Sequence, residues 1–586
     1  MIAPTAPTPA RAIAEAVRSG QTSAEQVARD TLARIEAYDA IQPQAWISRF
    51  APADLLAMAR AVDARVAAGE DLPLAGVPFA VKDNIDVAGL ETTAACPAFA
   101  YRPERHAEVV QRLCDAGAIP VGKTNLDQFA TGLNGTRSPH GAPRCVFNLA
   151  YVSGGSSSGS AVAVGAGLVP FALGTDTAGS GRVPASFNGL VGLKPTKGRW
   201  STTGLVPACR SLDCITVFTA DAADAALVDD IAAGFDPADV YARRIADVPV
   251  GTTLGVPLAA QRPWFSDFEA EVLYDRALAR LAGLGYTLVE VDIAPLLEAA
   301  KLLYNGPWVA ERTAALEAML RDRPGEIDPT VREIVASGNA VSAVEAFRGQ
   351  YQLLEYARAA EALWQSVDAL AVPTSPTIYR VAELLAHPVM LNSHFGTYTN
   401  FVNLLDMAAI AVPAGFRLNG TGFGISFFAP AGADRALLDM AAHWGTPVPN
   451  PEFDIGDHVE KIRLAVVGAH LEGMPLHWQL TTRDAVHITT TQTAPTYRLY
   501  AMTSTAPFKP ALVHDQTGGP IQVEIYELDM AAFGAFVAEV PPPLAIGTVT
   551  LADGSMVKGF VSEPRAMVGA EDITALGGWR AYIARQ

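Results

Sequence analysis

The chain has 586 residues, and half of them are hydrophobic, which is enough to bury a large core and excludes disorder as its main state. Asp and Glu outnumber Lys and Arg by 61 to 43, which gives a formal net charge of −18. A chain this acidic lacks the basic surface that nucleic acid or an anionic membrane requires, so we expect neither as a partner. Five cysteines without a CxxC pair indicate a reducing compartment. With no signal-peptide pattern and no span-length apolar stretch, we expect a cytoplasmic protein.

The first two hundred residues alternate predicted helices with short apolar strands. A capping pattern at Ser23 and Gln26 predicts a helix over 22–38, and the apolar run 76–81 predicts a strand that ends at Lys82. The elements predicted after it are a helix over 106–117, a strand Ala118–Val121, a helix Ala161–Gly167, a strand Val169–Gly174 and a helix near Val183. This alternation indicates an α/β domain with a largely buried sheet.

The second half of the chain changes character twice. Residues 265–365 are predicted to be mainly helical with a break at Gly306-Pro307, and apolar strands follow at 369–373 and 408–413. The segment 445–455 is rich in proline and glycine, which predicts a linker. Short β-type runs then follow at 463–467, 486–491, 521–527 and 557–561. We therefore predict an α/β domain over 1–445, a linker over 446–461 and a small, mostly β domain over 462–586.

Three polar motifs are candidates for chemistry: Gly154–Ser160 (GGSSSGS), Gly174–Gly181 (GTDTAGSG) and Val81–Asn84 (VKDN). They fit neither the phosphate-loop nor the dinucleotide pattern. A serine in such a turn has main-chain N–H groups free to stabilise an oxyanion, and a lysine whose pKa is lowered by burial can serve as its base. Alternatively, the loops only pack against the core and Lys82 is solvated at its strand end. The residues alone leave both interpretations open.

The two loops together resemble the amidase signature family, whose pattern is GGSSxG followed by GxDxxGSxRxPA. The resemblance extends along residues 23–445 and implies the amidase signature fold, a mixed central sheet covered by helices on both faces. It implies Ser180 as nucleophile, Ser156 on a cis peptide as bridging serine, and Lys82 as base. It also implies an oxyanion hole made by the main-chain N–H groups of Thr177, Ala178, Gly179 and Ser180.

Other polar residues of these loops have structural explanations. Ser157, Ser158 and Ser160 are alternatives for the bridging role, although capping of the next helix is the favoured explanation for them. Asp176 is expected to hold the nucleophile turn through Asx-type hydrogen bonds. Arg182 is expected to pair with a buried carboxylate.

Two later blocks, 302–312 (LLYNGPWVAER) and 466–476 (VVGAHLEGMPL), resemble the allophanate hydrolases, a two-domain branch of that family. This resemblance implies allophanate as substrate, with its carboxylate held by Tyr304 and Arg312. It also implies a γ-glutamyl-cyclotransferase-like C-terminal domain that decarboxylates the N-carboxycarbamate product, with His470 as catalytic residue. From the residues alone, Arg312 is a solvated helix residue, Tyr304 is packing and His470 is structural. His477 and Glu524 are further candidates in this domain.

Serine–lysine amide hydrolysis needs no metal or organic cofactor, and none is expected. The resemblance implies a homodimer and a functional link to a separate urea carboxylase or biuret hydrolase. The competing interpretation is another amidase of the family, such as an aliphatic amidase or the glutaminase subunit of an amidotransferase. In that case the C-terminal domain would be a non-catalytic dimerisation module.

Overall fold

The structure is a computed structural model that describes residues 7–445, 461–502 and 507–586. It forms two compact units, Met1–Asn450 and Pro451–Gln586. Of the predicted linker over 446–461, residues 446–460 lie outside the described residues. The predicted domain limits therefore stay a prediction.

The first unit is built on one 11-stranded mixed sheet with the strand order β1-β3-β2-β4-β6-β5-β10-β11-β9-β7-β8. Its strands are β1 Trp46–Arg49, β2 Pro78–Lys82, β3 Ile119–Thr124, β4 Phe171–Asp176, β5 Val191–Lys194, β6 Cys214–Thr219, β7 Thr253–Pro257, β8 Thr287–Val291, β9 Ala369–Pro373, β10 Met407–Phe416 and β11 Gly422–Pro430. Strand β2 runs parallel to both β3 and β4, whereas β6, β5, β10 and β11 continue the sheet in antiparallel pairs.

Helices of the first unit pack against this sheet. They are α1 Ala10–Arg18, α2 Ala24–Asp39, α3 Pro52–Ala67, α4 Glu108–Asp115, α5 Ser158–Gly165, α6 Val183–Phe187, α7 Ala222–Ala232, α8 Phe268–Gly283, α9 Ala294–Asn305, α10 Trp308–Asp322, α11 Pro329–Ala336, α12 Ala343–Leu363, α13 Val381–Ala386, α14 Met390–Phe395, α15 Asn400–Leu404 and α16 Asp434–Trp444. No helix among the described residues combines the length and the apolar character needed to cross a membrane.

Alternate residues of the central strands enter two different apolar clusters, which shows that the sheet is covered on both faces. In β9, Ala369 and Ala371 pack in the larger cluster with residues of α8 and α16, whereas Leu370 and Val372 pack with α9, α12 and α15. Successive side chains of a strand point to opposite faces, so the two groups of helices lie on opposite sides. The predicted fold class is confirmed.

Several predicted elements coincide closely with the structure. Ser23 caps α2 by accepting the N–H of Gln26, and the predicted strand ending at Lys82 is β2. The predicted break at Gly306-Pro307 separates α9 from α10. The small-residue helix begins earlier than predicted, at Ser158 instead of Ala161, and its N-cap residue Ser157 makes no side-chain capping hydrogen bond.

The second unit contains two small sheets around its own core. Its strands are β12 Lys461–Val466, β13 Val486–Gln492, β14 Tyr497–Met502, β15 Lys509–His514, β16 Gln522–Asp529, β17 Leu544–Thr550, β18 Met556–Ser562 and β19 Glu571–Asp572. They form a 5-stranded sheet, β13-β16-β12-β18-β17, and a 3-stranded sheet, β15-β14-β19. Three short helices complete the unit: α17 Trp478–Thr481, α18 Met530–Ala538 and α19 Trp579–Ile583. All four predicted β runs overlap these strands, although Val467 and Ile521 lie just outside them.

Candidate active site

Lys82 ends the buried strand β2 and is itself completely buried. Its Nζ donates hydrogen bonds to Ser156 Oγ at 2.7 Å and to Thr175 Oγ1 at 2.6 Å. Burial lowers the pKa of Lys82 to about 7, although nearby carboxylates act in the opposite direction. A large fraction of this lysine is therefore neutral near pH 7. The alternative in which Lys82 is solvated at a strand end is wrong.

Ser156 is also completely buried, and its main chain is fixed on both sides. The Gly155–Ser156 peptide bond is cis, and the Asp127 N–H donates to the Ser156 carbonyl at 3.1 Å. A Cβ at position 155 would lie 2.2 Å from Asp127 Oδ2, so this position requires glycine. The packing aims the Ser156 hydroxyl at Lys82.

The turn from β4 to α6 carries Ser180 and is organised by the carboxylate of Asp176. This carboxylate accepts the N–H of Gly179 at 2.6 Å and that of Gly181 at 3.1 Å. Arg182 donates to it from Nε at 2.8 Å and from Nη2 at 2.9 Å. Burial alone raises the pKa of Asp176, but Arg182 and these hydrogen bonds hold it below its usual range. The Asx-type hydrogen bonds and the Arg182 ion pair were both expected, and both are confirmed.

The N–H groups of this turn are not equivalent. The Gly179 N–H donates to the Asp176 carboxylate. It is therefore not available to the oxyanion hole, in which it was expected to take part. Within the part of the chain that the structure describes, the N–H groups of Thr177, Ala178 and Ser180 donate to no protein acceptor. These three N–H groups are the donors available to an oxyanion, and their role stays a prediction.

Ser180 is 3% exposed, and its hydroxyl has no hydrogen-bond partner among residues 7–445, 461–502 and 507–586. The three neighbouring serines are engaged. Ser157 Oγ donates to the Thr175 carbonyl at 3.1 Å, Ser158 Oγ to the Asn125 carbonyl at 3.4 Å and Ser160 Oγ to the Leu173 carbonyl at 2.9 Å. They bind the loop to neighbouring segments instead of capping α5, so the capping explanation is wrong for them.

Arg312 on α10 and Tyr304 on α9 lie against each other. The guanidinium carbon sits 5.2 Å from the centre of the Tyr304 ring. Arg312 is 1% exposed, and its Nη1 donates to Thr131 Oγ1 at 3.2 Å. Its Nε is buried without a partner among the described residues. The interpretation of Arg312 as a solvated helix residue is wrong.

Apolar packing and one carboxylate link this arginine to the nucleophile turn. Ala178 and Tyr304 belong to the same small apolar cluster. Asp213 accepts a hydrogen bond from Thr177 Oγ1 at 2.5 Å and lies close enough to Arg312 for the guanidinium to lower its pKa. Burial dominates, however, and raises the pKa of Asp213 to about 6.

Comparison with known proteins identifies the family to which this chain belongs. A family model described as Amidase matches residues 26–438. The chain belongs to the amidase family. A second family model, described as Allophanate hydrolase C-terminal domain, matches residues 462–584. The predicted resemblance is confirmed, and the chain is an amidohydrolase.

Relatives resemble this amidase over different shares of its length. The urea amidolyase of Saccharomyces cerevisiae is 45% identical, covering 92% of this chain and 31% of that protein. The chain thus spans about a third of the length of the urea amidolyases that it matches. A glutamyl-tRNA(Gln) amidotransferase subunit of Deinococcus deserti is 36% identical over 74% of this chain and 95% of that protein. The solved allophanate hydrolase of Kluyveromyces lactis is 42% identical with a TM-score of 0.67, covering 95% of this chain and 97% of that chain.

In the second unit of this amidase, His470 follows β12 and is 9% exposed. Its ring stacks on Phe560, with centroids 5.0 Å apart, and meets the edge of Phe536 at 5.1 Å. Its Nε2 lies 2.7 Å from Gln479 Oε1. Burial lowers the pKa of His470, so the neutral ring is favoured at pH 7.

His477 and Glu524 form a separate, internally paired cluster. His477 Nε2 lies 3.1 Å from Tyr526 Oη, which donates to Glu524 Oε2 at 3.2 Å. Glu524 also accepts from Arg580 Nη2 at 2.6 Å and from the Glu472 N–H at 2.7 Å. These bonds offset the effect of burial and lower the pKa of Glu524. These contacts explain Glu524 as a structural residue of the second unit.

Sequence reasoning overlooked Thr175 and Asp213. Thr175 lies inside the second motif, Gly174–Gly181, so its place there was a usable signal, whereas no motif marked Asp213. Among the described residues, no group of three or more His, Cys, Asp or Glu side chains is arranged to hold a metal ion.

Proposed function

We propose that this amidase hydrolyses allophanate (urea-1-carboxylate), releasing ammonia from its terminal amide. The observation that carries the proposal is Arg312, a buried guanidinium whose Nε has no protein partner in the described part of the chain. A buried arginine with a free donor suits a substrate carboxylate, because that pairing is charge-assisted and can be bidentate. The likeness to a solved allophanate hydrolase over 95% of the chain supports the same substrate.

The proposed chemistry uses Lys82, Ser156 and Ser180 in series. Neutral Lys82 accepts a proton from Ser156 as Ser156 accepts one from Ser180, and the Ser180 oxygen attacks the amide carbonyl. The N–H groups of Thr177, Ala178 and Ser180 stabilise the oxyanion. The relay then returns the proton to the nitrogen that leaves as ammonia. Water attacks the acyl-enzyme along the same relay and releases N-carboxycarbamate.

We further propose that the second unit decarboxylates this product, with His470 taking up a proton from water and passing it to the nitrogen of the product. The nitrogen of N-carboxycarbamate takes up a proton while one C–N bond breaks, its electron pair stays on nitrogen, and carbon dioxide leaves. The remaining carbamate takes up a second proton and breaks down in the same way. The net products of both units are therefore carbon dioxide and ammonia, in equal amounts.

The substrate is tested by ammonia release from allophanate, with biuret, glutamine and acetamide as comparison substrates. We expect turnover of allophanate at least about tenfold faster than that of the three others, because they lack a carboxylate on the reacting side to pair with Arg312. Faster turnover of glutamine or acetamide than of allophanate would overturn the substrate and favour another amidase of the family.

The proposal extends to the surroundings of the enzyme. Allophanate would be supplied by a urea carboxylase or a biuret hydrolase, and we place the reaction in the cytoplasm.

We also propose a homodimer, for which α12 offers a surface. It exposes four large apolar side chains on one stripe: Val344, Phe347, Tyr351 and Leu354. Their spacing along the helix is the same from either end. A two-fold axis would therefore pair Phe347 with Tyr351 of a second copy. Sedimentation equilibrium tests this, and a monomer mass would contradict it.

A further inference from the structure

A small cavity in the second unit brings His470 together with an unpaired cation. The cavity has a volume of about 160 Å³, and His470, Lys509, Phe536 and Phe560 are among the residues that line it. Two apolar rings and a half-buried lysine therefore line the same cavity as the histidine. The volume suits a ligand of a few non-hydrogen atoms.

The charges that line this cavity do not cancel. Glu539 also lines it, but its carboxylate is paired with Arg483 Nη2 at 2.5 Å. Lys509 has neither an ion pair nor a hydrogen bond from its Nζ in the described part of the chain. Its charge nevertheless reaches His470 and disfavours the imidazolium. The cavity thus holds one positive charge without a counter-ion, which favours an anionic ligand.

A chain of polar contacts fixes the tautomer of His470. Gln479 Nε2 donates to Glu539 Oε2 at 3.5 Å, so its Oε1 faces His470 Nε2 at 2.7 Å. An amide oxygen can only accept, and His470 Nε2 must therefore carry the hydrogen. The neutral ring keeps its lone pair on Nδ1. Arg483 and Glu539 anchor this chain.

We propose that the cavity binds a small dicarboxylate anion, with Lys509 as the counter-ion of one carboxylate and His470 Nδ1 as the proton-exchanging atom beside it. The inference deepens the proposed function and rests on it for the identity of the ligand, N-carboxycarbamate. The binding claim itself rests on the cavity, the unpaired Lys509 and the fixed tautomer.

The test uses malonate, which has the same two carboxylates but a CH₂ in place of the central N–H and therefore does not break down. Titration calorimetry is performed on the full chain carrying Arg312→Met, so that the first unit offers no arginine to malonate. We expect one malonate per chain. Lys509→Met should weaken its binding at least about tenfold, because a charge-assisted contact is lost.

Two further variants keep the result interpretable. Lys558 is an exposed lysine on β18 of the same unit, and Lys558→Met should change the affinity less than about twofold. Lys509→Arg, which keeps the charge, should bind within about threefold of the parent. Absence of malonate binding to the parent, or equal affinities of Lys509→Met and Lys558→Met, would overturn the proposal.

The outcome is independent of the proposed reaction. If the chain does not hydrolyse allophanate but Lys509 still governs malonate binding, the anion site stands and the proposed substrate fails. If allophanate is hydrolysed and decarboxylated while Lys509→Met leaves malonate binding unchanged, the proposed function stands and the Lys509 site is wrong.

Discussion

At the residue scale, the burial of Lys82 explains how an amine can act as a base near neutral pH. Its ordinary pKa of 10.5 would leave it protonated, but burial lowers the value to about 7. Only the neutral form can accept a proton from Ser156. The hydrogen bonds to Ser156 and Thr175 hold the nitrogen in place whichever form is present.

The activity should therefore rise with pH through the pKa of Lys82. We expect kcat/KM for allophanate to fall below a midpoint near pH 7, because lowering the pH protonates the lysine, and to level off above about pH 8. Lys82→Met should abolish this limb together with most of the activity. A kcat/KM profile that is flat from pH 6 to pH 8 in the wild type would contradict a lysine base.

Arg312 should act on substrate binding more than on turnover. Arg312→Met removes a charge-assisted contact of about 1.5–3 kcal/mol, so KM for allophanate should rise roughly 10–100-fold. Arg321→Met is the control, because Arg321 lies on the same helix with a side chain that is 66% exposed. Initial-rate kinetics on both variants decide the matter. An unchanged KM for Arg312→Met would remove the arginine from the substrate site.

The reacting residues were predictable because they lie in short motifs. Lys82, Ser156 and Ser180 each stand in one of three polar segments, and the structure brings Lys82 and Ser156 into contact. Thr175 and Asp213 were not found in this way. Asp213 meets Thr177 only because β6 returns beside β4 in the sheet, and such a long-range pairing leaves no local sign.

At the element scale, the turn from β4 to α6 is held by hydrogen bonds from residues outside the turn as well as by Asp176. Thr399 Oγ1 donates to the Ala178 carbonyl at 2.6 Å, and Asn403 Nδ2 donates to the Asp176 carbonyl at 2.7 Å. Gly179 has a φ of +125°, and a Cβ there would lie 2.3 Å from Thr399 Oγ1. The turn can keep this shape only with glycine at 179.

Gly179→Ala should therefore impair catalysis strongly. The added methyl group displaces the turn from Thr399 and with it the N–H groups proposed for the oxyanion, so kcat should fall at least about 10²-fold. Gly283→Ala, at the end of α8 where a Cβ would meet nothing within 4 Å, is the matched control and should keep wild-type kcat. Wild-type kcat for Gly179→Ala would show that the shape of this turn does not matter.

Elements with strong local signals were predicted, and elements defined by distant partners were not. The capping pattern at Ser23 placed α2, and the Gly306-Pro307 break placed the boundary between α9 and α10. The start of α5 was placed late, because the hydroxyls of the GGSSSGS run bond to neighbouring segments and let the helix begin inside it. Strand β5 was not predicted, since four buried residues in a Gly-rich stretch carry no alternating pattern.

At the scale of the whole molecule, the two units are proposed to carry out successive reactions. Each has its own apolar core. The first holds Lys82, Ser156 and Ser180, and the second holds His470 in its cavity. The competing interpretation treats the second unit as a dimerisation module without chemistry.

His470→Asn in the full chain separates these two interpretations. With ¹³C-labelled allophanate followed by NMR, the wild type should give carbon dioxide and bicarbonate without an intermediate signal. The variant should release the first ammonia at the wild-type rate while N-carboxycarbamate accumulates, because the nitrogen no longer receives its proton. An identical time course for both proteins would favour the non-catalytic module.

The central claim is that Ser180 is the nucleophile for allophanate, and Ser180→Ala tests it most directly. Steady-state ammonia release from allophanate should fall at least about 10⁴-fold, because the hydroxyl proposed to form the acyl-enzyme is removed. Near-ultraviolet circular dichroism should show that the variant is folded. A folded Ser180→Ala that retains more than about a tenth of the wild-type rate would contradict the account.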